Sequence, residues 1–507
     1  MNRNACAKLS LAGLLVLILG VPSAFAADDD PKAHDMSPEA KLLPGPPAPG
    51  SFIPDPVYPE PYDAQAQIDV YEKRHANLNP TGVPAIAAGI RMYDRGAYTP
   101  RPTWLFGAKD PMAFGFMAYG DLRVAADTYD AGKGNGDQSV VAARLNLDMD
   151  LALTATERIH AFTRPLDKNG SFTRYNLSGG APGKDKFVST FDFDIDTLFF
   201  EGDLGQITGG WRGKPSRFDL PIAFGRMPFV TQNGVWIEDA FDGAAFSITA
   251  KNIPKLDVSN TDLTIFAGWA QLTTPAASGS KNGVFGAAGF ADWLKGYVEY
   301  GYGYVDADDD DLSYHNVTAA FTRRYWGRLS NSIRVIGNFG QKGKPGTGKT
   351  ADGLLLLVEN SLTPHYLPWS GANQLNFVPY LNLFAGFDSP QSLARGADSG
   401  GVLRNTGLGF ESDGMTAYPT LDATAHDTYG GSLGLEYLFD LFRQIVVEGS
   451  VVQRRGGSPL AGNEYSVGVR YQQPISPDLI IRFDAMKGWL QGQKDIYGVR
   501  AELRLKF

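Results

Sequence analysis

The chain ends Ile-Tyr-Gly-Val-Arg-Ala-Glu-Leu-Arg-Leu-Lys-Phe (496–507). Tyr497, Val499, Ala501, Leu503, Leu505 and Phe507 fall on one face, and Arg500, Glu502, Arg504 and Lys506 fall on the other. A strand sends successive side chains to opposite faces, so this is a two-residue period carried to the last residue. One face is apolar throughout and the other is charged. A soluble sheet turns its apolar face to a core. A membrane barrel turns it to lipid and lines its lumen with the polar face.

The same alternation recurs upstream. Leu145, Leu147, Met149 and Leu151 oppose Arg144, Asn146, Asp148 and Asp150. Tyr465, Val467, Val469 and Tyr471 oppose Glu464, Ser466, Gly468 and Arg470. The pattern predicts strands near 113–129, 139–153, 157–164, 188–204, 218–227, 243–251, 262–272, 282–290, 296–305, 313–324, 331–340, 351–361, 375–385, 429–438, 444–454, 464–472, 479–487 and 496–507. The expected fold is therefore all-β, a transmembrane antiparallel β-barrel of about 18 strands; 16 also fits, because single barrel strands carry weak signals. An even number puts both ends on one side, with short turns there and long connections opposite. TATE, ADWLK, YWGRLS and LFDLFR fit the short side; DAGKGNGDQ, DADDDD, QKGKPGTGKT and RRGGSPLAGNE fit the long side. The rule slips at 252–261 and 362–374, which are long for short-side turns. A final aromatic on such a strand resembles the assembly signal of Gram-negative outer-membrane barrels. That resemblance implies a cell outer membrane location, with outer-membrane lipid, lipopolysaccharide and the barrel assembly machinery, through the Phe507 strand, as partners.

The opposite end has the form of an export signal. Arg3 and Lys8 precede an apolar run from Leu9 to Val21, and Ala24-Phe25-Ala26 is a small-residue cleavage pattern. A signal peptide is expected at 1–26. The one cysteine, Cys6, lies inside it, so the exported chain has neither thiol nucleophile nor disulfide. Removing Arg3 and Lys8 leaves 44 basic against 55 acidic residues, which excludes a basic nucleic-acid footprint. Residues 27–111 are proline-rich, as in LLPGPPAPG and PDPVYPEPY, with a short helical candidate at 64–76. They read as a periplasmic segment, partly in the barrel mouth or simply a spacer. The barrel is assigned to 112–507.

The alternation also selects lumen residues. Arg454, Arg470, Arg482, Arg500 and Arg504 project inward from the last four strands, and closure brings Arg123 and Arg144 beside them. They either select solutes or pair across strands with acids such as Asp484 and Glu502. The third long connection, PFVTQNGVWIEDAFDG, holds Glu238, Asp239 and Asp242 with Trp236 and Phe241. So apolar a loop is poorly suited to water. Folding inward buries its aromatics and presents its acids to the lumen, an arrangement similar in kind to that of general porins. The alternative is a cap on the rim. Residues 386–428 form the longest connection, with Arg395, Arg404 and Glu411 as its charged candidates; it plugs the barrel, lids it or binds a partner. The stretch LPIAFGRMPFVTQNGVWIEDAFDGAAFSI, with Gly225-Arg226 before an acidic loop, resembles the alginate-export family of outer-membrane proteins. That resemblance implies an export channel for an acidic polysaccharide, to which guanidinium groups are suited.

Residues 191–200, FDFDIDTLFF, place Asp192, Asp194 and Asp196 on the lumen side and Phe191, Phe193, Ile195 and Phe199 toward lipid. Three aspartates at that spacing span about 13 Å along a strand, too far for one ion. Arg158, His160, Arg164 and Arg217 or Arg226 are their expected partners. No cofactor is implied. The histidines are scattered and there is no G-x-S-x-G, so no enzyme constellation is present. GKPGTGKT (343–350) spells a phosphate loop but sits between predicted strands, with no helix to aim its amides. DADDDD (306–311) reads as a solvated loop rather than a calcium site. The expected function is an outer-membrane channel for hydrophilic solutes or an acidic polysaccharide, with a charged, arginine-rich lumen gated by long loops. The alternative is a structural or partner-binding barrel without open-channel activity.

Overall fold

The two-residue alternation is realised as a closed antiparallel sheet. A computed structural model describes residues 86–88 and 115–507, apart from 133–135, 155, 169, 180–185, 278, 280, 345–347, 363–376, 397–399, 412–413, 440–442 and 477. The expected signal peptide, the helical candidate 64–76 and the rest of the proline-rich segment lie outside the described residues. In chain order the strands are β1 (Ile86–Ala88), β2 (Gly115–Asp130), β3 (Gln138–Ala152), β4 (Arg158–Thr163), β5 (Asp167–Lys168), β6 (Ser171–Ser178), β7 (Phe187–Val188), β8 (Ile195–Asp203), β9 (Pro221–Thr231), β10 (Ile237–Ile253), β11 (Val258–Ala270), β12 (Gly283–Trp293), β13 (Gly296–Asp306), β14 (Tyr314–Tyr325), β15 (Leu329–Phe339), β16 (Asp352–Leu362), β17 (Phe377–Ser389), β18 (Ala394–Arg395), β19 (Thr428–Leu438), β20 (Gln444–Arg454), β21 (Glu464–Pro474), β22 (Leu479–Leu490) and β23 (Ile496–Lys506); the helix α1 is Leu204–Arg212.

Each long strand pairs with its neighbours in sequence, and β2 closes the circle on β23 from Asp121↔Lys506 to Asp130↔Tyr497. Two positions in the wall are split. β4 and β6 both pair with β3, and β7 and β8 continue the next position against β6 and β4. Counting each as one, the barrel has 18 strands. The last residue is locked in place: Gly120 N donates to Phe507 O at 2.9 Å, and Phe507 N to Gly120 O at 3.1 Å. Below that point β1 takes over the edge of β2, pairing Ile86↔Ala118 through Ala88↔Phe116.

Burial is inverted relative to a soluble protein. Val124, Leu356, Leu383, Leu433, Phe483 and Leu503 are exposed on the outer face, while Asp121, Arg334, Glu448, Asp484 and Glu502 are buried inside. Soluble monomers rarely expose contiguous apolar patches beyond about a few hundred Å². Many strands, such as β12, β16 and β23, have 11 residues. At about 3.3 Å per residue and a tilt near 40°, such a strand rises about 28 Å, which matches a lipid-facing band of about 25 Å.

The rim holding Phe507 carries the tight turns. The apparent slip at 252–261 disappears, because β10 and β11 extend toward each other and leave only 254–257. The slip at 362–374 lies almost wholly outside the described residues. Other expectations need correction. The predicted strand 188–204 is broken, with 189–194 outside any strand, and β6 lies where the pattern predicts a connection. The supposed third loop is a hairpin: β9 runs on to Thr231 and β10 starts at Ile237, so Glu238, Asp239 and Asp242 stand on a strand. GKPGTGKT lies between β15 and β16, with no helix after it.

Candidate functional site: a constricted lumen

The β9–β10 hairpin leaves the wall and folds inward. Its pairing with β8 ends at Leu198↔Arg226, and its register with β11 shifts between Asp242 and Gly243. Gly225, opposite Gly243, marks the bend; its φ of +123° is open to glycine, and a Cβ there would strike the Leu198 carbonyl. Beyond the bend one face of the hairpin packs on the inside of the barrel. Phe229 stacks on Phe241 with centroids 5.0 Å apart, and both approach Phe266 of β11. The Trp236 indole lies against Gly301, where no Cβ would fit, and donates to Asn316 Oδ1 at 2.8 Å. Trp236 and Phe241 are fully buried. This acidic segment is built as strand rather than loop.

The long connection between β17 and β19 also runs inside. β18 pairs in parallel with Ile237 and Glu238. Arg395, fully buried, donates to Gly234 O at 2.6 Å and Ser392 Oγ at 3.1 Å, and pairs with Glu238 at 3.4 Å. Burial pulls its guanidinium down to about 10, against the pull of Glu238. Arg404 holds the other Glu238 oxygen at 3.0 Å. Thr406 O then accepts from Asn382 and Ser432, Gly409 N donates to Glu448 at 2.9 Å, and Asp422 N donates to Glu464 at 2.7 Å. Met415 reaches Ala125, Ala142 and Phe172 near the seam. The described residues of 386–428 thus lie against the inner wall of the barrel.

This covers the arginine wall. Arg470 binds Glu411 of the connection and Asp484 of β22, both at 2.6 Å. Arg500 pairs with Asp484 at 2.9 Å, beneath the Tyr418 ring at 5.0 Å. Arg482 joins Asp484 at 3.1 Å to Glu502 at 3.4 Å, and Arg123 holds Glu502 at 2.7 Å. Arg504 pairs with Asp121 at 3.0 Å. Arg144 pairs with Asp167 at 3.0 Å. Arg454 is exposed at the far rim, bonded to Ala461 O at 3.1 Å. The arginines expected to line the lumen together are therefore mostly paired, and Arg470 and Arg500 are roofed over. Burial raises the Glu411 carboxyl, but Arg470 outweighs it and holds the group below the usual range.

Open space remains opposite. A cavity of about 770 Å³ lies between the exposed face of the hairpin, with Arg226, Glu238 and Asp239, and a wall holding Arg164, Lys168, Asp192, Asp194 and Asp196. Arg226 pairs with Asp242 at 2.9 Å, and Asp239 accepts from Thr273 N at 2.6 Å. Arg164 grips Asp196 with two bonds, at 2.9 and 3.2 Å. Lys168 Nζ lies 2.9 Å from Asp192 and 3.6 Å from Asp194. That ammonium, then the Asp194 amide, holds the Asp192 carboxyl below its usual range. Asp194 is the most open of these groups, its side chain 86% exposed. Toward the Phe507 rim lie a cavity of about 670 Å³ with Arg158, Glu201 and Ser247, and one of about 390 Å³ beneath Gln232 and Trp236.

Of the expected partners of the three aspartates, only Arg164 serves. Arg158 and His160 turn to Asp150 at 3.5 and 3.2 Å, with His160 also 3.0 Å from Glu201. Phe199 faces inward, stacked on His160 at 4.9 Å, not toward lipid. The cause is a bulge: Phe162 pairs with Thr197 but Thr163 with Ile195, so Asp196 is extra and the faces exchange after it. Sequence reasoning missed Lys168, which the DKNG turn motif at 167–170 places in a tight hairpin facing Asp192. In the DADDDD loop, Asp309 and Asp311 are tied to Lys344 and Lys342 at 2.7 and 3.0 Å. Ser389 Oγ lies 3.0 Å from His426 Nε2 and 3.4 Å from Nδ1, and among the described residues no carboxylate is bonded to that ring.

No family model matches the chain, and no curated protein does. Among solved structures, the chain is similar to Pseudomonas aeruginosa OccK5 (OpdH), at 12% identity and a TM-score of 0.49, over 77% of this chain and 98% of that one. It is similar to Acinetobacter baumannii OccAB4, at 10% identity and a TM-score of 0.49, over 77% and 98%. P. aeruginosa OpdK, solved with vanillate, gives 13% identity and a TM-score of 0.48, over 77% and 98%.

Proposed function

We propose that this chain is an outer-membrane channel for small hydrophilic solutes. The observation that carries the reading is the joint inversion of the barrel: exposed apolar side chains outside, and inside a charged cavity of about 770 Å³ beside an inward hairpin. Fixed charges at a narrowing select solutes by pairing and by size. In this reading the accessible charge belongs to Asp192, Asp194 and Asp196 with Lys168, Arg164 and Arg226, while Glu238, Asp239 and Asp242 hold the constriction in shape. Acids outnumber bases around the cavity, which supports a preference for cations. Arg123, Arg144, Arg470, Arg482 and Arg500 stiffen the opposite wall through their ion pairs, and Arg454 sits at the outer mouth.

Export of an acidic polysaccharide fits less well, because the guanidinium groups suited to carboxylates are largely paired and two inward segments narrow the path. Single-channel recording in planar bilayers tests the reading. The full chain is expected to give discrete ohmic steps. Silence, both in the full chain and in a variant lacking 391–425, would favour a structural barrel.

A further inference from the structure

We infer that the rim holding Phe507 binds the anionic headgroups of glycerophospholipids in the adjoining membrane leaflet, through a basic and aromatic arc on consecutive turns. The inference rests on the outer-membrane reading above. Its centre is the connection between β8 and β9, the one described turn on this rim with an α-helix. That connection is firmly built. The Asp203 carboxylate caps α1 by accepting from Gln206 N at 2.7 Å and accepts from Leu220 N at 2.9 Å, closing the loop at its base. Gly213 ends the helix in the left-handed conformation, Ile207 is buried, and Ser216 Oγ donates to Phe218 O at 2.8 Å.

This frame presents WRGKPSRF (211–218) to solvent. Trp211 and Phe218 are exposed, and so are Arg212, Lys214 and Arg217. No carboxylate among the described residues pairs with any of the three cations. The adjoining turns repeat the combination: Lys255 beside exposed Leu256, Lys295 beside exposed Trp293 and Leu294, and Trp326, 80% exposed. Lys255 and Lys295 likewise have no described carboxylate partner.

The far rim is built differently. There Lys342, Lys344, Lys349 and Lys494 are matched to Asp311, Asp309, Asp352 and Asp130 at 2.5–3.0 Å, while Lys281 and Arg454 have no described carboxylate partner. In a chain of formal net charge −9, the Phe507 rim thus sets several cations without a described carboxylate partner beside exposed indoles. Indole rings settle at the lipid–water interface, and basic side chains beside them meet headgroup phosphates. A headgroup with net negative charge answers both halves of the pattern, whereas an acidic polymer in solution leaves the aromatics unexplained.

The test is native mass spectrometry of the full chain released from detergent with equal amounts of phosphatidylglycerol and phosphatidylcholine. A variant carrying Arg212→Gln, Lys214→Gln and Arg217→Gln together is compared, with heat-modifiable gel mobility reporting the folded barrel in each. The wild type is expected to retain phosphatidylglycerol preferentially, and the folded variant to lose about tenfold or more of that preference, with unchanged single-channel conductance. Equal retention of the two lipids by the folded wild type, or an undiminished preference in the folded variant, overturns the arc. So does binding to isolated peptidoglycan that the variant loses without any lipid preference in the wild type. A wild type that never forms a heat-modifiable barrel counts instead against the outer-membrane reading.

Discussion

Two walls of one lumen carry similar charges to different ends. On the seam side, Arg123, Arg470, Arg482 and Arg500 meet Glu502, Asp484 and Glu411, and the long connection lies over them. On the opposite side, Lys168, Arg164, Asp192, Asp194 and Asp196 also pair, yet they border a cavity of about 770 Å³. Both sets face inward, the first by strand alternation and the second through a bulge and a hairpin; the segment above them decides which set a solute can meet. Removing one partner of a buried pair is strongly destabilising, whereas exposed pairs contribute little to stability.

That difference is open to attack in order of size. Deleting 391–425 should raise single-channel conductance severalfold, since the connection fills the seam side; an unchanged conductance would place the narrowing elsewhere. Arg470→Ala should destabilise the barrel by about 3 kcal/mol in urea unfolding, because it leaves the buried Asp484 and the covering Glu411 without a shared cation. Asp194→Asn, by contrast, should stay within about 0.5 kcal/mol of wild type. A comparable loss in both variants would erase the distinction.

Acid should act on the seam side in a set direction. The Glu411 pKa is depressed in the folded chain, so its contribution is present above the unfolded glutamate value and is lost as pH falls through the lower folded value. The clasp to Arg470 should therefore hold at neutral pH and release only below the ordinary glutamate range, read as rising conductance. Glu411→Gln should remove that step.

Much of this fold is legible in the sequence, because lipid outside and water inside force a strict two-residue code on strands such as β3, β21 and β23. The code fails where the backbone departs from regular pairing. One extra residue at Asp196 reverses the sides, which moves Phe199 inward. The Asp167–Lys168 hairpin interrupts the third position of the wall and hides β6. The hairpin bearing Glu238 looked like a loop because its aromatics serve an interior surface. The path of 386–428 was illegible for another reason. Gly407 and Gly409 press directly on Ser432, Glu448, Ser450 and Ser466, and small residues chosen for close approach resemble those of any exposed loop.

The central claim, that the aspartate side and not the arginine wall sets selectivity, is tested most directly by reversal potentials in a potassium chloride gradient. Wild type should prefer cations, Asp192→Asn/Asp194→Asn/Asp196→Asn should lose that preference, and Arg500→Gln, if folded, should keep it. An unchanged reversal potential in the aspartate variant, with a shift in Arg500→Gln, would contradict the account.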